Sequence, residues 1–333
     1  MTLRENIPLS VLTTLKVGGD ARYVAECVSV EDVQEALAFA KGKNIPFFPL
    51  GEGSNVLAPD AGYEGLIIHM RLPDLVVEGD GTLIAGAGVI WDQVVRQAGL
   101  RGLWGIENLA GIPGTMGAAP VQNIGAYGAE LADTLIYVDA LDANTGEALR
   151  ISKDACDLGY RDSRFKRERQ LLITSVALKL SANGEPRVSY KDLAARKEAG
   201  DSLATPKEIA DVVRSVRSVK FPDLSEHGTA GSFFKNPVVP TQKYEELAKR
   251  FPSVPGFEVE QGVKIPLAWL LDNVLALRGF SIGSVSLFER QPLVLVTDTG
   301  ARAHDVDALA ELVAQKVFEE TKICIEREVR SLT

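Results

Sequence analysis

An α+β protein of two or three domains is the fold class predicted by three observations. A chain of 333 residues exceeds what one hydrophobic core usually serves. Helical stripes, with apolar residues three and four apart, are interspersed with short strand-like runs. The mixture also changes along the chain, from a small α/β unit to a strand-rich stretch and then to a mixed third part.

Ala21–Val28 reads as a strand leading into a helix from Ser29, whose Val33, Ala36, Leu37 and Ala40 share one face. Asn44-Ile45-Pro46 stops that helix, and Ile45–Leu50 is a buried strand running into Gly51-Glu52-Gly53-Ser54-Asn55. Strands follow at Leu75–Glu78 and Leu83–Ala87, then a helix at Ile90–Gly99, a hairpin across Ala143–Gly146 and a long alternating strand at Leu171–Leu180. Thr205-Pro206-Lys207-Glu208 is a capping box with proline at the first helical position, and Ile209, Val212, Val213 and Val216 form the stripe of a helix expected to act as a hinge between domains. Beyond it come the loop segment Phe221–Pro237, a helix around Pro266–Leu277, a strand at Leu293–Thr297, a helix at Val306–Glu320 and a last strand at Lys322–Val329. No internal repeat of fixed period is present.

Composition narrows the functional classes. The apolar fraction of 46% and charged fraction of 24% are ordinary for a globular enzyme. Net charge is −9 and the basic residues are scattered apart from a short run at 164–169, so no nucleic-acid footprint is expected and any anionic ligand must be held by a local site. Cys27, Cys156 and Cys324 are far apart, odd in number and without CxxC spacing, which points to three buried thiols and away from a disulfide framework or a metal site. There is no signal-like apolar segment at the N-terminus and no apolar run of about 18 residues, so a cytoplasmic protein without a membrane partner is expected.

The chemistry is written in the loops. Residues 111–128, GIPGTMGAAPVQNIGAYG, hold five glycines and two prolines and no charged side chain. Glycine permits close backbone approach and positive φ, and successive main-chain N–H groups in turns form anion-binding nests that suit a diphosphate without needing lysine. In GEGSN, Ser54 and Asn55 offer neutral donors to phosphate oxygens. Two Gly-rich loops in separate α/β units suggest a long dinucleotide, and FAD fits. Gly86-Ala87-Gly88 tempts toward a dinucleotide-binding fingerprint, but Trp91 occupies the third glycine position and the unit does not continue as βαβ.

Three further segments carry polar groups with chemical potential. In YRDSRFK (160–166), Arg161 is placed for orientation by Asp162 and can present its planar fork to a carboxylate, while Arg164, Lys166 and Arg167 read as partly solvated surface. GTAGSFFKNP (228–237) presents Ser232 beside two aromatics. Only His227 is near in sequence and no Gly-x-Ser-x-Gly elbow exists, so Ser232 suits proton donation better than nucleophilic attack. In ICIEREV (323–329) the alternation puts Glu326 and Glu328 on one side of the expected strand, either as an edge pair or with one acid in a cleft.

LTTLKVGG (12–19), PLGEGSNVL (49–57), residues 111–128, YRDSRFK, GSFFKNP and IEREVR together resemble the UDP-N-acetylenolpyruvoylglucosamine reductase (MurB) family over nearly the whole chain. The resemblance implies a two-part FAD-binding domain of the vanillyl-alcohol-oxidase (PCMH) type followed by an α+β substrate-binding domain. The parts expected are FAD-binding subdomains at 1–70 and 71–204, a linking helix at 205–220, a substrate domain at 221–322 and a returning C-terminal strand at 323–333. It implies non-covalent FAD, NADPH as electron donor, and reduction of the enolpyruvyl group of a UDP sugar by a cytoplasmic monomer in peptidoglycan precursor synthesis. No metal is implied.

Carried over by position, Ser232 corresponds to the family's proton donor, Arg161 to its active-site arginine and Glu326 to its C-terminal glutamate. The FAD site maps to Gly51, Gly53, Ser54, Asn55, Ile112, Pro113, Gly114, Thr115, Gly117, Gln122, Asn123, Gly125, Ala126 and Tyr127. Tyr190, Lys220, Asn236 and Gln291 correspond to positions that hold the UDP sugar or nicotinamide, with Lys220 acting on a diphosphate. Two rival readings come from other classes. An oxidase of the same flavin architecture is disfavoured by the set Ser232, Arg161 and Glu326; a non-catalytic nucleotide-binding module would be colourless.

Overall fold

The computed structural model describes all residues from Met1 to Thr333. Strands β1 to β7 are Thr2–Pro8, Asp20–Cys27, Phe47–Leu50, Val56–Leu57, Tyr63–Met70, Leu75–Val77 and Thr82–Gly86. Strands β8 to β12 are Gly125–Ala126, Ala129–Glu130, Leu135–Asp142, Ala148–Ser152 and Leu171–Lys179; β13 to β19 are Val238–Val239, Phe257–Val259, Gly262–Lys264, Ser281–Ile282, Val285–Phe288, Gln291–Thr297 and Arg330–Ser331. Helices α1 to α8 are Val30–Lys43, Trp91–Leu100, Arg164–Arg167, Lys191–Glu198, Pro206–Lys220, Thr241–Arg250, Leu267–Trp269 and Ala303–Thr321.

The chain divides into two compact units that its path crosses more than once. The first comprises Met1–Ile7, Ala21–Glu52 and Glu64–Ser218; the second comprises Pro8–Asp20, Gly53–Tyr63 and Val219–Thr333. This division cuts across the sequential boundaries read from the sequence, because residues 8–20 and 53–63 pair with partners more than two hundred positions away. Thr229 donates its N–H to the Thr14 carbonyl at 2.8 Å, and the Thr297 hydroxyl donates to the Leu15 carbonyl at 2.6 Å.

Within the first unit, one sheet runs β1-β2-β5-β3, with β3 and β5 parallel, and another runs β11-β10-β12-β7-β6, antiparallel throughout. The all-antiparallel order around β7 leaves no βαβ unit for a dinucleotide fingerprint at Gly86–Gly88. Trp91 is buried instead, and its indole N–H donates to the Leu109 carbonyl at 2.8 Å. Helix α1 begins at a capping box in which the Asp32 N–H donates to the Ser29 hydroxyl and the Ser29 N–H to the Asp32 carboxylate, both at 3.2 Å. It ends at Asn44 in the left-handed region.

Two apolar clusters fill this unit. Tyr23, Val33, Ala36, Leu66 and Ile68 belong to one, and Leu83, Trp91, Val94, Leu109, Val138 and Val176 to the other. Strand β12 differs from the alternating strand expected there: it is buried along most of its length. It lies between β10 and β7, with Leu172 in the smaller cluster and Ile173, Val176 and Leu178 in the larger, so both faces are covered. The helix expected as a hinge, α5, buries Ile209, Ala210 and Val213 in the larger cluster.

The second unit holds the sheets β13-β15-β14 and β16-β17-β18 and the parallel pair β19-β4 around a core that includes Phe233, Phe234, Leu295, Val306 and Val313. The last strand expected at Lys322–Val329 is absent as a regular element. Arg327 bridges Phe234, and the N–H groups of Glu328 and Val329 both reach the Phe233 carbonyl, at 2.8 and 3.5 Å. Two successive donors on one acceptor mark a bulge, which breaks the alternation before β19 begins. Cys27 and Cys156 are buried, but Cys324 is exposed: burial alternates along 321–326, and Cys324 shares the outward side with Lys322 and Glu326.

Candidate active site

In the first unit the Gly-rich loop at 111–128 is gripped at its entrance. Asp92, near the start of α2, accepts the Gly111 N–H at 2.7 Å, and Arg217 of α5 donates to the Gly111 carbonyl at 3.0 Å. Arg214, one turn earlier, binds both oxygens of Asp92 at 2.9 and 3.0 Å. These two arginines were missed from sequence, although Arg217 falls four positions after the buried Val213 and so on the same helical face. Burial holds the Arg217 pKa below the usual guanidinium range and pushes Tyr127, its hydrogen-bond partner, up to about 12.

The loop then turns through positive φ at Gly114, Asn123 and Tyr127. Its floor is tight: a Cβ on Gly117 would lie 2.6 Å from that of Ala87, and one on Gly51 would lie 2.4 Å from the Thr115 hydroxyl. The two Gly-rich loops therefore meet at Gly51 and Thr115. Both close approaches are between the protein's own segments, so these glycines let those segments pack together into one backbone surface. Glu52, the one acid of GEGSN, is paired with Arg71 at 2.7 Å.

Asn123 serves the loop itself. Its amide donates to Glu130 at 2.9 Å and to the Gly159 carbonyl at 3.1 Å, and its oxygen accepts the Ala132 N–H at 3.0 Å. Arg161 reaches the same stretch, donating to the carbonyls of Gly125 at 2.6 Å and Asn123 at 3.4 Å. Asp162, expected to orient Arg161, pairs with Arg167, which also pairs with Asp157. The run read as partly solvated surface is half-buried to exposed and also braces this turn: Lys166 donates to the Arg161 carbonyl at 3.0 Å, and Arg164 pairs with Glu168 at 2.8 Å. Tyr190, at the start of α4, stands edge-on to Tyr127 with ring centroids 5.3 Å apart. Gln122 and Ala126 lie between these anchor points on the same loop.

In the second unit Ser232 is half-buried and bridges Val294 of β18. Gly231, at φ 73°, turns the chain into this position, and its N–H donates to the Thr229 hydroxyl at 3.1 Å. The segment is clasped on both sides: Phe233 donates to the Leu293 carbonyl at 2.9 Å, and Lys235 to the Glu326 carbonyl at 2.9 Å. The Glu326 carboxylate meets the Lys235 ammonium at 2.8 Å with its side chain 74% exposed. Gly53, Ser54 and Asn55 belong to this unit, and the Asn55 amide donates to the Glu328 carbonyl at 3.2 Å. The second half of GEGSN is thereby fixed to the C-terminal segment that bears Glu326, which is fixed in turn to the Ser232 segment.

Asn236 uses its side-chain oxygen to accept the Leu267 N–H at 2.9 Å, Lys220 is the last residue of α5, and Gln291 is the first of β18. His227 pairs with Asp298 at 2.6 Å.

Residues 21–152 match the FAD binding domain family, and residues 223–332 match the family of the UDP-N-acetylenolpyruvoylglucosamine reductase C-terminal domain. The UDP-N-acetylenolpyruvoylglucosamine reductase of Salmonella choleraesuis (strain SC-B67) is 40% identical over 316 residues, 93% of this chain and 91% of the relative. The chain belongs to the UDP-N-acetylenolpyruvoylglucosamine reductase family. The Escherichia coli (strain K12) member is 36% identical over 98% of this chain and 95% of its own length. The crystal structure of the Thermus caldophilus reductase (MurB) superposes with a TM-score of 0.70 at 26% identity, covering all of both chains. The 6-hydroxy-D-nicotine oxidase of Arthrobacter nicotinovorans shares the fold alone, with a TM-score of 0.51 at 14% identity over 90% of this chain and 80% of that one. The two-part flavin-binding fold expected from the sequence is therefore the fold observed.

Proposed function

We infer that this chain is a flavoenzyme that reduces the enolpyruvyl group of UDP-N-acetylenolpyruvoylglucosamine, with non-covalent FAD and with NADPH as electron donor. Kinship over 93–98% of the chain carries the reading, and the match of residues 21–152 to the FAD binding domain family supports the cofactor. When bound, FAD supplies hydride to the terminal carbon of the enol ether.

The chain's own residues handle the charge and the proton. Hydride arrival builds negative charge on the α-carbon and its carboxylate. Arg161 offers a permanent cation for that charge, worth several kcal/mol (about 3) when preorganised. Glu326, when protonated, serves the same end by hydrogen bonding. The Ser232 hydroxyl gives its proton to the α-carbon, so the C=C bond becomes a saturated ether with a methyl group. Tyr190, Lys220, Asn236 and Gln291 are assigned to holding the UDP sugar or the nicotinamide, and residues 221–322 to the substrate domain. With this reading goes a monomeric, cytoplasmic enzyme of peptidoglycan precursor synthesis whose partners are small molecules. No helix of the structure is long and apolar enough to cross a membrane.

Anaerobic stopped-flow absorbance tests the reading. NADPH should bleach the flavin bands and the enolpyruvyl substrate should restore them. Ser232→Ala should bleach normally and fail to recover; normal recovery in that variant removes Ser232 from proton transfer, and no recovery in the parent enzyme discards the substrate.

A further inference from the structure

Arg161 occupies the third position of the turn Gly159–Asp162, whose ends exchange backbone hydrogen bonds of 3.0 and 3.3 Å. Its φ of 54° lies in the left-handed region, which disfavours any residue with a Cβ and persists only where the surroundings enforce it. The enforcing groups are close at hand. Lys166 donates to the Arg161 carbonyl at 3.0 Å, Arg167 joins Asp162 to Asp157, and the buried Ser163 hydroxyl donates to the Val121 carbonyl at 2.7 Å. The turn so held delivers the Arg161 guanidinium to the carbonyls of Asn123 and Gly125 on the Gly-rich loop.

We propose that Lys166 is a positioning residue for the reduction: by holding the Arg161 carbonyl it keeps the turn in its left-handed form and so preorganises the guanidinium. This rests on the reading of Arg161 as the group that stabilises the developing enolate. Preorganised charge acts on a transition state only while its direction is fixed, and a cation tethered to a turn free to relax into a right-handed form loses that direction. Lysine suits the task because its charged N–H makes a stronger bond to a carbonyl than a neutral donor does. Lys166→Met keeps an unbranched stem one atom shorter and removes the donor, whereas Lys166→Arg retains charge and donor.

The experiment uses the FAD-loaded enzyme and the variants Lys166→Met, Lys166→Arg, Arg161→Met and the Lys166→Met/Arg161→Met pair. Each is followed by flavin bleaching with NADPH, by reoxidation with UDP-N-acetylenolpyruvoylglucosamine, and by amide hydrogen exchange over residues 159–163. Lys166→Met should slow reoxidation by roughly ten- to a hundredfold with bleaching unchanged and faster exchange in the turn. Lys166→Arg should restore most of both. In the Arg161→Met background the lysine change should add nothing to the rate, since it acts through the arginine. Full multiplication of the two effects, or parental reoxidation in Lys166→Met, overturns the proposal. Parental reoxidation in Arg161→Met instead overturns the reading of the arginine and the positioning role with it. Exchange separates the two failures: faster exchange in Lys166→Met then shows the turn is still held by the lysine, and unchanged exchange shows that it never was.

Discussion

At the scale of single residues, the site depends on places where a side chain would be in the way. Gly117 donates its N–H to the Ala87 carbonyl at 3.0 Å, and a Cβ there would stand 2.6 Å from the Ala87 Cβ and 3.0 Å from its Cα. Neither neighbour is the flexible end of a long side chain, so Gly117→Ala must move the loop. The expected cost is about 1–3 kcal/mol, together with loss of flavin. The flavin-to-protein absorbance ratio and the thermal midpoint check both, and a variant that keeps full flavin content refutes a flavin role for this position. The glycine was visible in the sequence as part of a charge-free loop. Its reason was not, because Ala87 lies thirty positions earlier and only the pairing of the two segments makes them collide.

At the scale of elements, α5 links helix formation to the site. Its start follows the predicted capping box: the Glu208 N–H donates to the Thr205 hydroxyl at 3.2 Å, and the Thr205 N–H to the Glu208 carboxylate at 3.0 Å. Thr205→Ala should cost about 1 kcal/mol and lower the midpoint of the first unit's unfolding by roughly 2–4 °C, read by calorimetry; an unchanged midpoint would show that the cap contributes nothing. The same helix carries Arg214 and Arg217 to Gly111. The stripe Ile209, Val213 and the capping signal made the helix legible. Its packing against the larger apolar cluster was not, since an amphipathic pattern states that one face is covered and not by what. The C-terminal segment shows the converse. Its alternating residues promise a strand, and burial does alternate along 321–326, but the chain makes only the Arg327–Phe234 bridge before the bulge at Phe233.

At the scale of the whole molecule, pH acts through a half-buried histidine and two buried cysteines of the first unit. Burial, and next the nearby Arg71, holds the His69 pKa below its ordinary 6.5. The unfolded chain therefore binds the proton first, and stability falls as pH drops from about 6.5 toward the folded value. In the alkaline direction burial raises Cys27 from 9.0 to about 12 and Cys156 from 9.0 to about 11. The unfolded thiols lose their protons first, so stability falls again as pH rises above about 9. The unfolding midpoint should thus be highest between these limits, and His69→Gln should flatten the slope on the acid side; an unaltered acid slope would show that His69 does not titrate on unfolding.

By itself the sequence determined the α+β class, most helices and their caps, the two Gly-rich loops and the family, because local periodicity, turn chemistry and motif order are properties of neighbouring residues. Only the tertiary structure decided that residues 8–20 and 53–63 join the second unit, that Lys166 and Arg167 brace the turn of Arg161, and that Asn55 is fixed to the C-terminal segment. Each of these rests on a hydrogen bond or ion pair whose partner is set by how the chain packs, and packing brings together residues that no local pattern connects.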